Sequence, residues 1–439
     1  MTKTGTTESR ELMAVWSEGH GSIRRTRLLV GLCAGNFLEF YNFMAYAFFA
    51  PMIARTFFSQ HTPIMGLFYS LLTFAAGFVA RPLGAWAMGL FTRRYGYNRS
   101  LTVTFTLMAV GSAVIALTPG GAQIGMLGSF LILIARVLQG FSEGAEVGPT
   151  TALMFLVAPR GLGGVFGSLQ YFTQLVGAFC SVCVGLVLST LLSHDSLYNW
   201  GWRVPFLLGL VVFPVGLLLR GEIAALGAMP ETEPLVGRKE STVGEPRVTL
   251  GLVLLIFIGV GSGTVSHWLR TYNVSYAITV LHLSPASGMA AMLLGLLVGL
   301  AALLGGMVIA RKGLALRSWV IGIGIVNTLL TIPAYYICIS HPKFWSVTAL
   351  NLVLFTCSGF TSAPLWQEML LCLPHHSRGF VFGIVYALAV STLGGLTQPA
   401  VTWLIALTQT PMVAGYVMTC AIPVGTIAYA LLSSIRLRR

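Results

Sequence analysis

About twelve apolar segments follow one another along this chain of 439 residues, and they constrain its fold more than any other feature. A helix needs roughly 20 apolar residues to cross the hydrocarbon core of a bilayer. The segments that reach about this length lie near 27–52, 64–91, 100–118, 124–157, 164–191, 202–220, 249–277, 286–310, 317–339, 346–373, 378–405 and 412–434. The sequence therefore predicts an all-α membrane protein with twelve transmembrane helices.

The charged residues support this interpretation and fix a topology. Only 9% of the residues are charged and 56% are hydrophobic, which excludes an ordinary soluble domain. The net charge of +13 could suggest nucleic-acid binding, but the lysines and arginines concentrate in the two tails and the even-numbered connections. That asymmetry predicts cytoplasmic termini in a plasma (bacterial inner) membrane. We expect lipid around the chain and no nucleic-acid partner.

A short motif occurs twice and divides the chain into halves. Gly89, Arg94 and Gly96 return at the same spacing as Gly306, Arg311 and Gly313, about half the chain length later. Repeats of this kind are typical of membrane transporters. We predict two pseudo-symmetric six-helix halves, with the boundaries 1–23 for a cytoplasmic tail, 24–220 for the first half, 221–248 for a polar linker and 249–439 for the second half.

The first span carries an acid near its centre. Glu39 lies in GNFLEFYNF, where Asn42 shares its helix face and Tyr41 lies between them. A carboxylate at membrane depth is costly unless it faces water or a partner. Glu39 is therefore a candidate proton-coupling residue, and Tyr41 and Asn42 are candidate substrate contacts. The alternative is a hydrogen-bonded clamp between helices.

The fourth span contains RVLQGFSEGAEVG, with Arg136, Glu143 and Glu146 on neighbouring helix faces. Ionising both carboxylates together in a low-dielectric site is unfavourable, so one is expected to carry a proton near neutral pH. Glu143 and Glu146 are candidate proton carriers, and Arg136 is a candidate for binding substrate. Alternatively, Arg136 neutralises one acid in a fixed ion pair.

Other polar residues inside apolar segments are further candidates for binding substrate. Their side chains carry charge or hydrogen-bonding groups to membrane depth, and they are Arg81, Gln170, Gln174, His267, Arg270 and Tyr386. All of these except Tyr386 have a structural alternative: pairing within the protein for Arg81, bonding to another helix for the glutamines, and reaching the membrane surface for His267 and Arg270. Downstream, WGWRVPF places Trp200 and Trp202 where tryptophans suit the membrane–water interface.

The sequence gives no indication of an enzyme or of a cofactor. The seven cysteines all lie in apolar segments, and no zinc-type spacing of Cys and His occurs. There is no phosphate-binding Gly-rich motif, so transport powered directly by ATP is not expected. No coherent set of nucleophile and base is present. We expect no enzymatic activity, no metal and no cofactor.

Several stretches resemble the major facilitator superfamily, namely GLFTRRYGYNR with its counterpart in the second half, GNFLEFYNF, FAAGFVARPLG, RVLQGFSEGAE, WGWRVPF and YALAVSTLGGLTQPA. Within it they resemble the metabolite:proton symporter branch, and citrate–proton symporters most. The resemblance implies a major facilitator fold, a monomer, and uptake of a small carboxylate with a proton. The alternatives are another small metabolite, such as a betaine or a shikimate-like compound, and a metabolite sensor that does not cycle.

The resemblance also implies gating roles for the two motif turns, Gly89, Arg93, Arg94, Gly96, Gly306, Arg311 and Gly313. The chain departs from the family pattern there. Arg93 and Ala310 stand where the family has an Asp, and Leu156 and Leu371 stand where it has a Glu. In relatives those acids hold the cytoplasmic side shut. Without them the outward-open state is expected to lose about 1–3 kcal/mol per missing charge-assisted hydrogen bond.

Overall fold

The computed structural model describes residues 20–156, 163–210, 213–214, 248–312, 316–373 and 378–437. These residues form helices and their connections, and no strand occurs among them. In the first half the long helices are α1 (His20–Phe57), α2 (Pro63–Tyr95), α3 (Tyr97–Leu117), α4 (Met126–Leu156) and α5 (Gly163–Leu191). They are followed by a helical segment at 204–210, which we label α6.

Among the described residues, the second half contributes six long helices. They are α7 (Leu250–Thr279), α8 (Pro285–Lys312), α9 (Leu316–Ser340), α10 (Phe344–Leu371), α11 and α12 (Val413–Leu437). Helix α11 consists of Arg378–Ala389, a π-helical turn at Val390–Gly394, and Gly395–Thr408. A π-helical turn holds an extra residue, and such turns concentrate at functional sites.

Eleven helices among the described residues are long and apolar enough to cross a membrane, so this is a multi-pass membrane protein. The predicted sixth span, 202–220, is described mainly at its start, and most of the predicted linker lies outside the described residues. Helix α1 begins at His20, so it includes the last residues of the predicted tail.

The contacts between helices repeat six helices further on, as a pseudo-symmetric pair of halves requires. Helix α2 packs on α4 and α8 packs on α10, while α3 packs on α4 and α9 on α10. The two halves meet where α2 contacts α11 and where α5 contacts α8. Two copies of one packing plan therefore face each other across a central interface.

The first motif turn connects α2 to α3 through one residue, Gly96. Its φ angle is +85°, which L side chains rarely adopt, and its N–H donates to the carbonyl oxygen of Thr92 at 2.9 Å. Glycine is suited to this position because it has no Cβ. The recurrence of glycine in the motif thus has a local backbone cause at this turn.

Helices α2 and α4 approach closely because glycines line their contact. A Cβ atom added to Gly140 would overlap the carbonyl oxygen of Gly77, and one added to Gly144 would overlap that of Arg81. Small residues at helix interfaces allow such approach within a membrane. This packing brings Arg81 of α2 within reach of Glu143 of α4.

Large apolar side chains cover the outer surface of the helices. Leu83 and Trp86 of α2 are 62% and 69% exposed, as lipid-facing side chains are expected to be. The prediction for Trp202 is wrong: it is fully buried between the rings of Phe57 and Phe206, whereas Trp200 is half exposed. Hydropathy alone does not separate a tryptophan at the interface from one in the core.

Candidate functional site

A cavity of about 170 Å³ lies between the two halves. Its walls come from α1, α2 and α5 of the first half and from α7 and α9–α12 of the second. Five residues predicted to bind substrate line it, namely Arg81, Gln174, His267, Arg270 and Tyr386. Residues that were predicted separately from the sequence therefore lie together around this cavity.

The cavity is closed toward one side of the protein. We call the side on which α1 begins the near side and the opposite one the far side. On the far side Ser275 of α7 donates to the carbonyl oxygen of Ala47 of α1, at 3.4 Å. Leu67 and Leu71 of α2 also share a buried cluster there with Tyr272 of α7. The far side is thus packed shut.

Trp268 of α7 closes the cavity toward the far side. Its ring meets three rings of the first half edge-on, with centroid distances of 5.6 Å to Phe43, 5.4 Å to Phe74 and 4.9 Å to Phe78. Edge-to-face contacts at these distances are favourable. Gln398 of α11 donates to the Trp268 carbonyl oxygen at 2.9 Å, which ties this aromatic cluster to a fourth helix.

Arg81 lines the cavity, and side chains outside the cavity hold its guanidinium in place. Its Nη2 donates to Oε2 of Glu143 at 2.6 Å, and both side chains are buried. The guanidinium also lies over the rings of Phe43 and Phe78, at 4.7 Å and 4.1 Å from their centroids. Charge-assisted bonds of this kind are strong where water is excluded. Glu143 itself does not line the cavity.

Arg136 takes a different position from the one expected of a substrate contact. It is fully buried and does not line the cavity. Its guanidinium lies over the rings of Phe43, Tyr46 and Phe74, and its Nη1 donates to Oε1 of Gln139 at 2.7 Å. Arg81, rather than Arg136, forms the ion pair with Glu143.

A chain of hydrogen bonds extends from Gln139 through the first half. Gln139 donates to Ser112 at 2.9 Å, and Ser112 donates to Oδ1 of Asn42 at 3.1 Å. The Asn42 amide then donates to the carbonyl oxygen of Leu38 at 3.2 Å. This network joins α4, α3 and α1, so Asn42 has the surroundings of a structural residue.

Arg270 and His267 supply the second half with cationic or hydrogen-bonding groups. Arg270 is buried and lies 5.6 Å from the centroid of Phe355, and its Nε has no hydrogen-bond partner among the described residues. Both ring nitrogens of His267 also lack partners there, and the ring stands edge-on to Tyr171 and Trp268. No described acid pairs with Arg270.

Gln174 and Tyr386 join the two halves across the cavity. Gln174 belongs to α5 and Tyr386 to α11, and both line the wall. Tyr41 and Gln170 were also predicted to bind substrate, but neither lines the cavity. Tyr41 donates to the carbonyl oxygen of Pro205 at 3.2 Å, and the Gln170 carbonyl oxygen accepts from Asn36 at 2.9 Å.

The other two acids that were predicted to couple transport to protons are Glu39 and Glu146. Glu39 is 2% exposed within the first half and does not line the cavity. The Glu146 side chain lies outside the described part of the structure, as do those of Arg93, Leu156 and Leu371 and the whole of Gly313. Among the described residues, no group of three or more His, Cys, Asp or Glu could hold a metal ion.

The other predicted gating residues lie at the near side. Arg94 and Arg311 are exposed at the ends of α2 and α8. Gly89 has open space around it, whereas Gly306 lies against the backbone of Gly359 and Phe360. The two copies of the motif are therefore packed differently.

Most of the cavity residues were not predicted from the sequence, and three of them have large or polar side chains that bear on binding. They are Trp268, Asn327 and Trp366. A signal existed for Asn327, since it is a lone amide in the middle of an apolar segment. Nothing comparable distinguished the tryptophans from residues facing lipid.

The chain is similar to known membrane transport proteins. Residues 32–399 match the profile of the Major Facilitator Superfamily. Citrate-proton symporters from Salmonella typhi and Klebsiella pneumoniae are each 30% identical over 414 residues, covering 92% of this chain and 93% and 91% of their own length. Alpha-ketoglutarate permease from Escherichia coli (strain K12) is 29% identical, covering 85% of this chain and 86% of its own.

The fold resembles that of a sugar carrier at low sequence identity. A crystal structure of D-xylose-proton symporter has a TM-score of 0.69 with 14% identity, covering 93% of this chain and 97% of its own. The inward-open conformation of the xylose transporter XylE from E. coli has a TM-score of 0.66 with 13% identity, covering 93% and 95%. These likenesses concern the fold alone.

Proposed function

The chain belongs to the Major Facilitator Superfamily, and we propose that it takes up a small carboxylate, citrate or a related di- or tricarboxylate, together with a proton. The relatives of similar length are citrate-proton symporters and an alpha-ketoglutarate permease. The proposed place is the bacterial inner membrane with both termini in the cytoplasm. The near side is then cytoplasmic and the far side faces outward.

The observation that carries this proposal is the charge of the cavity wall. Two arginines and one histidine line it, and no described lining residue is acidic. Arg81 comes from the first half and Arg270 from the second, so an anion between them contacts both. Arg81 is paired with Glu143, whereas Arg270 is a buried cation without an acidic partner among the described residues. Such a cation is costly, and a carboxylate supplies the missing charge.

Arg81 also links substrate binding to a proton. In the structure its guanidinium is held by Glu143. A proton on Glu143 removes the negative charge that attracts Arg81, and the guanidinium then becomes available to a substrate carboxylate. Loss of the proton restores the ion pair and displaces the substrate. Proton and substrate are in this way loaded together and released together.

Alternating access follows from the arrangement of the halves. The far side is closed by Trp268 and by the contact of Ser275 with Ala47. The cavity lies between this closure and the near side, which is the arrangement expected after substrate has entered from outside. Opening requires the halves to rock about the cavity, as repeat-based transporters do.

The proposal is tested by transport in proteoliposomes. Labelled citrate uptake is measured with and without an inward proton gradient, and exchange of internal for external citrate is measured without any gradient. We expect the gradient to drive accumulation and exchange to need no gradient. Equal uptake in both conditions would exclude proton coupling. Binding of citrate with neither uptake nor exchange would indicate a sensor.

A zwitterionic substrate is the second candidate. Trp366 and Tyr386 line the cavity, and aromatic rings attract quaternary ammonium groups. Proline/betaine transporters are also among the relatives, at 25% identity. Thermal stabilisation of the purified protein by glycine betaine, but not by citrate, would favour this candidate over carboxylate uptake.

A further inference from the structure

Among the described residues, four glycines line the cavity, and three of them have a packing reason to be glycine. A Cβ atom added to Gly259 would lie 2.6 Å from Cε of Met369. One added to Gly324 or Gly425 would overlap a side chain of a neighbouring helix. Gly263, in the middle of α7, is the fourth, and a Cβ atom there meets nothing within 4 Å. Glycine destabilises a helix interior relative to alanine, so the open space beside Gly263 needs another explanation.

The open space at Gly263 belongs to the cavity and not to the lipid. Gly263 is exposed and lines the cavity wall. Successive residues of an α-helix turn by about 100°, so Gly263 lies about 180° from Leu254 and about 140° from Ile258, two exposed apolar residues of α7. By the same count it lies within about 20° of Arg270, which also lines the cavity. A ligand in the cavity therefore has direct access to the surface of Gly263.

Helix α10 faces this position across the cavity. Gly259 of α7 approaches Met369 of α10, and the Arg270 guanidinium lies 5.6 Å from the ring centroid of Phe355. Residue numbers rise along α7 as they fall along α10, so the helices are antiparallel and Gly263 lies between these two contacts. The α10 residues that line the cavity between the same contacts are Cys357, Ser358, Thr361, Ser362, Leu365 and Trp366. A side chain at position 263 would extend into the space before this wall and narrow a cavity of about 170 Å³.

We propose that Gly263 sets the largest substrate that the cavity accepts, and that the space beside it holds the extra bulk of a tricarboxylate. This inference rests on the proposed carboxylate uptake. Glycine has no side chain with which to attract a ligand, so Gly263 contributes room, while Arg81 and Arg270 supply the charge. Gly263 is thus a specificity-determining residue, and a larger residue there confines the protein to unbranched dicarboxylates.

The experiment compares carboxylates that differ by one branch. Glutarate and propane-1,2,3-tricarboxylate share a five-carbon chain, and the second carries one more carboxyl group. Calorimetry measures the affinities for both, and for citrate, of the purified protein and of its variants G263A and G263V. We expect G263V to lower the affinity for the two tricarboxylates about tenfold or more while that for glutarate stays within about twofold, with G263A between. Neither substitution changes a charge, so a loss confined to tricarboxylates reports bulk.

G322V is the matched control. Gly322 of α9 also has open space around it, but it lies outside the cavity wall. We expect G322V to leave all three affinities unchanged. Alanine suits an open position in a helix, so G263A is expected to melt at a temperature no lower than that of the unmodified protein. The comparison therefore does not depend on G263V alone.

Several results would overturn the inference and leave carboxylate uptake standing. They are unchanged affinities in both Gly263 variants, an equal loss for glutarate and the tricarboxylates, and an unmodified protein that binds glutarate alone. Unchanged affinities together with slower exchange of every substrate would assign Gly263 to a helix contact made in another conformation. If the unmodified protein binds no carboxylate, the proposed function itself fails, and this inference falls with it.

Discussion

Arg81 and Glu143 form an ion pair between α2 and α4, with 2.6 Å from Nη2 to Oε2, and it is the one such pair inside the spans among the described side chains. Arg81 lines the cavity and Glu143 does not. The pair thus joins a side chain that lines the cavity to the acid that we propose carries the proton. Its disruption is the clearest test of coupling.

For E143Q we expect exchange without accumulation. Glutamine resembles the protonated acid, so Arg81 stays available to substrate whatever the pH. Citrate exchange across proteoliposomes is expected to persist, while accumulation under an inward proton gradient falls to the level seen without one. The parallel variant E39Q tests the other buried acid. Accumulation that is intact in E143Q and lost in E39Q would move proton binding to Glu39.

For R270Q we expect weaker binding of carboxylates by about 10- to 100-fold, because a hydrogen bond to a charged group contributes about 1.5–3 kcal/mol. Calorimetry with citrate on the purified protein measures it. R311Q is the matched control, since Arg311 is exposed at the end of α8 and outside the cavity wall. An equal loss in both variants would show that general charge, not the cavity arginine, controls binding.

For G140A we expect destabilisation by about 1–3 kcal/mol, because the added methyl group meets the rigid backbone of Gly77. G322A is the control: that glycine also lies within a span, but a Cβ there meets nothing within 4 Å. Thermal unfolding in detergent, followed by fluorescence, compares them. A melting temperature of G140A equal to that of G322A would contradict the close approach of α2 and α4.

For W268A we expect easier access to the cavity from outside. Cys357 lines the cavity and serves as the reporter. Its labelling by a membrane-impermeant maleimide in intact cells, quantified on peptides by mass spectrometry, is expected to rise severalfold. W345A, which removes a tryptophan that is 72% exposed, is the control. Unchanged labelling in W268A would mean that the aromatic cluster does not close the far side.

Hydropathy and the repeated motif were enough to predict the helical fold with its two halves, because both can be read directly from the sequence. The cavity residues His267 and Arg270 could be predicted for a similar reason: charge at membrane depth needs a watery or polar surrounding. The ion-pair partner of Glu143 could not be predicted from the sequence. Arg136 is its neighbour on the same helix, yet the glycine-lined contact between α2 and α4 brings Arg81 to it instead.

The position of Arg136 shows what tertiary contacts add. Three aromatic rings and Gln139 surround its guanidinium, and the contacts with the rings cannot be read from spacing on one helix. The same applies to the contact of Trp202 with Phe57, which lies on α1. Periodicity identifies which residues share a face, and only the assembled bundle decides what that face meets.

The π-helical turn at Val390–Gly394 sets the two ends of α11 out of phase with each other. One extra residue rotates everything on one side of it by about 100° relative to a continuous α-helix. Tyr386 therefore points into the cavity while Gly395 lies against Phe78 of α2. Deleting a single residue here would restore a regular helix and turn one of those two surfaces away from its partner, so the length of this segment is as constrained as its composition.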